Sequence, residues 1–231
     1  MKKYRILIFV IINFLSANIS YNYNVTMYGI PVSNVTMNIN DTSLLDKKLV
    51  NVNFITQSTQ LISPIFKIQN NYQTIIDPET NSILLFKKST FQPGVINKIE
   101  TENINDSIFY KNSDIHIPKD YYNIFTLLFY LSNTSFEKIN TKLNLEREGI
   151  LYHCIISKNK IDNEKSVYYL DFIPQNLSNS PIVEHTDIFT WAIFKKGAKR
   201  TIIVENNTIT SCTFKTGAIK LIAKLKSPLH K

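Results

Sequence analysis

Ile188-Phe-Thr-Trp-Ala-Ile-Phe194, Arg200-Thr-Ile-Ile-Val-Glu205, Thr208-Ile-Thr-Ser-Cys-Thr-Phe214 and Ala218-Ile-Lys-Leu-Ile-Ala-Lys-Leu225 follow one another near the C-terminus. Each is short and rich in β-branched and aromatic residues. Turn-forming Lys195-Lys-Gly-Ala-Lys199, Asn206-Asn207 and Gly217 separate them. Short runs divided by such residues predict consecutive antiparallel strands. The last run has a second reading: as a helix it would gather Ala218, Leu221, Ile222 and Leu225 opposite Lys220 and Lys224, the pattern of a basic helix lying on a membrane. Gly217 and the preceding hairpins favour the strand.

Working upstream, Val167–Ile173, Ile150–Lys158 and Lys138–Leu145 continue the strand pattern. Near the N-terminus Tyr23–Ile30, Val32–Ile39 and Leu49–Thr56 alternate apolar with polar residues, the period of half-buried strands. Gly29-Ile-Pro-Val and Asn40-Asp-Thr-Ser read as turns between them. Ile65–Phe86 reads as strands joined at Asn70-Asn71 and at Asp77-Pro-Glu-Thr-Asn81, and Phe91-Gln-Pro-Gly94 as a further turn. One helix interrupts the strands: Tyr121–Ser132, apolar nearly all round, with Asp120 as its N-cap. The expectation is a mainly β single domain over 21–231, a curved antiparallel sheet forming a half-barrel or open barrel. The short apolar helix packs on its concave face.

Met1-Lys-Lys-Tyr-Arg followed by Ile6–Ala17 has the layout of a secretory signal, a basic start and a short apolar run. It predicts a signal peptide over 1–20 with cleavage near 17–20, and hence export to the periplasm or outer envelope of a bacterium. The chain carries a formal charge of +8, concentrated at its end, where residues 188–231 hold nine Lys/Arg against the single acid Glu205. That points to a basic surface at Lys195, Lys196, Lys199 and Arg200, suited to a membrane surface or an envelope partner. Nucleic acid is not expected, because the charge is confined to one end of an exported chain.

Enzymatic signatures are missing. His116, His153, His185 and His230 show no metal-ligand spacing, and neither a nucleophile elbow nor a glycine-rich phosphate loop occurs in a chain with five Gly. Asp77 reads as a turn residue, and Glu146 and Glu148 flank Arg147 before a turn. No catalytic residue, metal or cofactor is expected. Cys154 and Cys212 both lie in apolar strand patterns; they can form a disulfide in an exported chain or stay as small buried hydrophobes. A curved sheet closed by an apolar helix leaves a concave apolar interior, where Phe125, Phe129, Phe172, Phe189 and Trp191 either fill the core or line a site for a lipid or other amphipathic ligand.

Ile150-Leu-Tyr-His-Cys-Ile-Ile, Ser166–Pro174, Phe189-Thr-Trp-Ala-Ile-Phe, Arg200–Glu205 and the Gly217-led last strand together resemble the DUF3108 family of exported bacterial proteins of unknown function. The likeness spans most of 24–226. It departs where Lys195-Lys-Gly-Ala-Lys199 stands in place of an acidic turn and Thr201 in place of a Pro. The resemblance implies an exported, mainly β protein, with a further likeness to curved-sheet lipoprotein carriers. The function expected is a non-catalytic envelope protein binding a lipid or other apolar ligand in a concave sheet. The alternative is a structural or interaction protein with a packed core and a basic C-terminal face.

Overall fold

The computed structural model describes residues 18–44, 47–175 and 181–226. The signal peptide expected over 1–20 lies outside the described residues up to Ala17, and Asn18 opens the first strand. Six strands form an antiparallel meander: β1 (Asn18–Met27), β2 (Ile30–Leu44), β3 (Lys47–Ser58), β4 (Gln69–Ile76), β5 (Ile83–Gln92) and β6 (Val95–Ile104), continued by the short β7 (Ser107–Tyr110) and β8 (His116–Pro118). A second meander runs through β9 (Lys142–Arg147), β10 (Ile150–Lys160), β11 (Lys165–Pro174), β12 (Lys199–Glu205), β13 (Thr208–Thr216) and β14 (Ile219–Leu225). Antiparallel pairing of β14 with β1 joins the two into one fourteen-stranded sheet with β8 and β9 at its edges.

The edges nearly meet. After β8 the chain turns at Lys119, whose N–H donates to the Asp106 carbonyl, and runs back along β9. There Tyr122 N–H donates to Asn144 O at 2.9 Å and Glu146 N–H to Tyr122 O at 2.8 Å, a single parallel bridge that ties the seam. Such a bridge occupies part of an edge that would otherwise offer unpaired backbone groups to another chain. The mainly β curved sheet expected from the sequence is present, and it curls past a half-barrel almost to closure.

Period-two alternation sets what faces inward. Met37, Phe54, Tyr72, Lys88 and Ile99 stand directly opposite one another across five successive strands, and all five are buried. The outer face carries Asn51, Gln73 and Lys87 on β3–β5 and Asn22 on β1. A lipid-spanning barrel has an apolar exterior; this one is polar outside and apolar within. Tight turns fall where the chain can take positive φ: Gly94 (φ 76°) between β5 and β6, and Asn206 and Asn207 (φ 50° and 57°) between β12 and β13.

Helix α1 (Ile124–Asn133) runs inside the sheet, with Leu127 and Leu131 fully buried. Its cap is Asn123, whose Oδ1 accepts from Thr126 N at 2.8 Å. Asp120, the cap expected from sequence, instead accepts from Asn144 Nδ2 across the seam. Seam pairing holds Tyr122 extended, so the helix cannot start until Asn123. A 3₁₀ turn, Phe136–Lys138, follows where a strand from Lys138 was expected.

The structure corrects four other readings. Ile188–Phe194 is a helix, α2, and not a strand; its composition favours β, but Asp187 Oδ1 accepts from both Phe189 N and Thr190 N at 3.0 Å and so starts a helical turn. Asn70-Asn71 lies within β4 and Asn40–Ser43 within β2; Asn70 faces inward, donating from Nδ2 to Tyr72 Oη and accepting at Oδ1 from Phe91 N, so it supports the ladder and does not break it. Ile65–Lys67 belongs to the irregular link before β4 and not to a strand. Cys154 and Cys212 are both free. They sit on β10 and β13, three strand spacings or roughly 14 Å apart across the sheet, beyond the approximately 7 Å Cα separation a disulfide can span. The Ala218–Leu225 ambiguity resolves as the strand β14.

Candidate functional site

Strand direction gives the barrel two ends. One carries the β1–β2, β3–β4, β5–β6, β9–β10 and β13–β14 connections and α2. α2 lies over this mouth, its Ala192 packed against Val25 of β1 and Leu221 of β14. Beneath it, between α2 and the first turn of α1, is an apolar cavity of about 110 Å³. Its floor is Ile124, Phe125 and Leu128, its roof Phe189, Thr190 and Ile193, and its walls come from β1–β4, β13 and β14, among them Val35, Met37, Phe54, Phe214 and Ala223. Phe125 is held there by rings on three strands, at centroid distances of 4.9 Å to Phe54, 4.6 Å to Tyr72 and 6.0 Å to Phe86. Apolar cavities of this order stay dry and accept benzene-sized groups, whereas drug-sized ligands occupy about 300 Å³ or more.

Of the five expected ligand residues, Phe125 and Phe189 line the chamber. Phe129 and Phe172 are buried elsewhere in the core, and Trp191 points away from the chamber on the outer side of α2, 36% exposed with the Lys195 ammonium 5.3 Å from its ring. The core place open to Trp191 as a strand residue is taken by Thr190 and Phe194, which the helix turns inward.

The basic surface also needs correcting. Lys195, Lys196 and Lys199 are exposed, but Arg200 is buried at 2% exposure. Arg200 shares the inward parity of Ile202 and Val204, and its guanidinium fork reaches the chain leaving α2. Nε donates to the Ile193 carbonyl, Nη1 to Ala198 O at 2.8 Å and Nη2 to Lys195 O at 2.9 Å, while the group rests 4.1 Å from the Phe172 ring centroid. Burial without a carboxylate contact lowers its pKa to about 10, so it stays charged at neutral pH.

The other end of α2 is fixed by a charge cluster that the sequence reading missed. Lys88 Nζ pairs with Glu148 Oε1 and, at 2.6 Å, with Asp187 Oδ2, and donates to Thr186 Oγ at 3.2 Å. All three charged side chains are at most 4% exposed. Burial pulls the Lys88 ammonium towards neutrality, but the two carboxylates outweigh it and its pKa rises. For Asp187 burial raises the pKa, and Lys88 with the Thr190 hydroxyl and N–H outweighs it, so the group is lowered. Its signal in the sequence was parity: Lys88 shares the inward row with Phe86 and Thr90.

Beside the cluster, at the seam, Tyr110 Oη donates to Glu146 and accepts from Gly149 N at 3.2 Å. Full burial raises the Glu146 pKa to about 7 against these bonds. Helix α2 is thus a short roof pinned by a buried triad at one end and a buried arginine at the other.

No family model matches the chain, and no curated protein does. Among solved structures it is similar to a β-barrel-like protein of a domain of unknown function, DUF1849, from Brucella abortus. The TM-score is 0.51 at 10% identity, covering 90% of this chain and 95% of that one. At that identity the likeness concerns the fold.

Proposed function

We propose that this chain is an exported, non-catalytic bacterial envelope protein whose barrel-like domain holds a small apolar group, such as the end of one acyl chain, in the chamber beneath α2. One observation carries the reading: an apolar cavity at the mouth of a nearly closed sheet, with Phe125, Phe189, Ile193 and Phe214 around it only partly buried. Core side chains with nothing to contact lose dispersion energy, so an apolar occupant would be stabilised there. The secretory layout of Met1–Ala17 supports the envelope assignment, as does the DUF3108-like pattern of β10–β14, although the Trp191-bearing run within that likeness is helical. No nucleic acid or cofactor is part of the proposal.

The chamber's size favours a second reading, an envelope structural or interaction protein with a packed core, because about 110 Å³ is below the range of typical ligand sites. Native mass spectrometry of protein purified from its own envelope separates the two. The first reading expects a lipid-mass adduct that is lost in Ala223→Phe, which fills the chamber. An adduct-free spectrum, with Ala223→Phe no less stable than the parent, would leave the packed reading.

A further inference from the structure

We infer that the chamber end of the barrel docks on an anionic lipid bilayer. Chain direction brings six exposed apolar residues to this end: Tyr28 and Ile30 at the β1–β2 tip, Leu61 and Ile65 in the β3–β4 connection, Ile96 after the β5–β6 turn and Trp191 on α2. Ile65 is 85% exposed and Ile96 73%. Among them stand Lys67, Lys98, Lys195, Lys196, Lys215 and Lys220, all exposed, and none meets a carboxylate among the described residues. In the connections at this end the exposed acids among the described residues are Asp114 and Glu184. The opposite end is mixed: Glu79, Asp106, Asp120, Glu137, Asp162 and Glu164 are exposed in its connections beside Lys119 and Lys138, with Lys47, Lys48, Lys142 and Lys160 exposed at the adjoining strand ends, and Lys47, Lys119 and Lys160 are paired with carboxylates. The chamber mouth is therefore basic and carries the four most exposed large apolar side chains, Ile65, Ile96, Leu61 and Tyr28, whereas the opposite end is mixed in charge and exposes Ile19, Leu44, Ile104 and Ile161.

That difference selects the occupant. The lysines of the chamber mouth, which meet no carboxylate among the described residues, are drawn to an anionic surface more strongly than the opposite end, whose charges are mixed and partly paired, and this orients the molecule before contact. The apolar side chains are spread in ones and twos over three connections and α2, with lysines between them. Protein interfaces gather their apolar residues into a core depleted of lysine, whereas a fluid bilayer takes up separate apolar tips and favours Tyr and Trp at its headgroup level. The polar outer face of the sheet keeps the strands themselves in water, so the contact is peripheral.

Trp191 is the single Trp of the chain and sits in the surface, so its emission reports docking. The test mixes protein purified from its own envelope with vesicles of phosphatidylglycerol and phosphatidylcholine in equal parts, and with pure phosphatidylcholine vesicles. Expected are co-sedimentation and a blue shift of Trp191 emission with the anionic vesicles only, reversed at about 0.5 M salt, where screening shortens to a few Å. Lys195→Glu/Lys196→Glu should weaken binding more than about tenfold, given roughly fivefold per lysine at such a surface. Leu61→Ser/Ile65→Ser should weaken it while the circular dichroism spectrum stays unchanged. Ala223→Phe, which alters only the chamber, should bind vesicles as the parent does, so this inference stands or falls apart from the ligand reading. No binding to anionic vesicles at low salt overturns it; so does binding that both rim variants leave intact, or a dimer held through the rim and dissolved by Leu61→Ser/Ile65→Ser.

Discussion

Lys88 and Asp187, ninety-nine residues apart in sequence, lie 2.6 Å from Nζ to Oδ2 with both side chains out of contact with water. The pair fastens the N-terminus of α2 to the middle of β5, and Glu148 completes it from the β9–β10 turn. Removing one partner of a buried pair leaves an uncompensated charge, at a typical cost of about 3–5 kcal/mol. Lys88→Met leaves two buried carboxylates and should lower unfolding stability by that amount in urea. A loss within about 0.5 kcal/mol, the range of an ordinary surface change, would show that the triad is not closed in solution. The pH dependence follows from the directions of the shifts. Asp187, lowered when folded, contributes fully above the ordinary carboxylate value of 3.8, and that contribution disappears as acid reaches its lowered pKa. Lys88, raised when folded, contributes fully below its ordinary 10.5 and loses that contribution as pH rises past its folded pKa.

Glu146 works in the opposite sense. Its folded pKa of about 7 exceeds the ordinary 4.5 because the carboxyl is buried, with Glu148 adding to the rise and the Tyr110 hydroxyl and the Gly149 and Glu148 N–H groups opposing it. Between these two values the unfolded chain releases the proton first, so stability falls as pH rises from about 4.5 to about 7. A shift of that size corresponds to about 3 kcal/mol. Glu146→Gln keeps an acceptor for Tyr110 and removes the titration. Its stability should therefore be flat across the window in which the parent declines. Parallel pH profiles for the two proteins would place the titrating group elsewhere.

Cys154 and Cys212 are buried, and burial pushes both thiols up to about 12. The thiolate is the reactive form, so neither should be alkylated while the protein is folded. Iodoacetamide followed by mass measurement should give no adduct on the folded chain and two after unfolding without reductant. An unfolded, unreduced chain that takes none would contain a disulfide, and the β10-to-β13 spacing would be wrong.

What the sequence made legible, and what it hid, divides along one physical line. Alternation every second residue is local, so β1–β3, the strands on either side of the Asp77–Asn81 turn, the second meander with its Asn206-Asn207 hairpin and the strand β14 could be read directly, as could the apolar helix at 121–132, whereas β6, β7 and β8 went unread. Where a long-range contact overrules local preference, the reading failed. Ile188–Phe194 is composed like a strand, and what makes it a helix is Asp187, held by a lysine from another strand. Arg200 looked like one more basic surface residue because charge was counted by segment; its parity with Ile202 and Val204 placed it inside. The same parity on β5 marked Lys88, which was passed over because a charged inward residue has no meaning until its partners are known. Phe125 and Phe189 were named for their chemistry, but that they face one cavity depends on α2 folding back over the mouth.

Arg200 offers the sharpest test of α2 as a pinned roof. Its fork takes the Ile193 carbonyl, one of the groups a helix leaves unsatisfied where it ends, and the Lys195 and Ala198 carbonyls of the chain leaving it. Lysine at this position keeps a charge but has a single donor head and cannot reproduce the planar fork. With at least one of these carbonyls left without a donor, at roughly 1–3 kcal/mol for a buried group, Arg200→Lys should lose about 2–3 kcal/mol of stability. The loss should also be local: backbone amides of Ile193 to Ala198 should exchange faster with solvent, and Trp191 emission should shift as its helix loosens, while β2–β4 amides stay protected. Arg200→Met removes the charge as well, and with it the cost of burying a cation, so it separates the contribution of the fork from that of the charge. If Arg200→Met is as stable as the parent and α2 exchanges no faster in either variant, the helix is held by the Lys88–Asp187 pair and its apolar contacts to Val25 and Leu221, and the chamber's roof is not fixed from the β12 side.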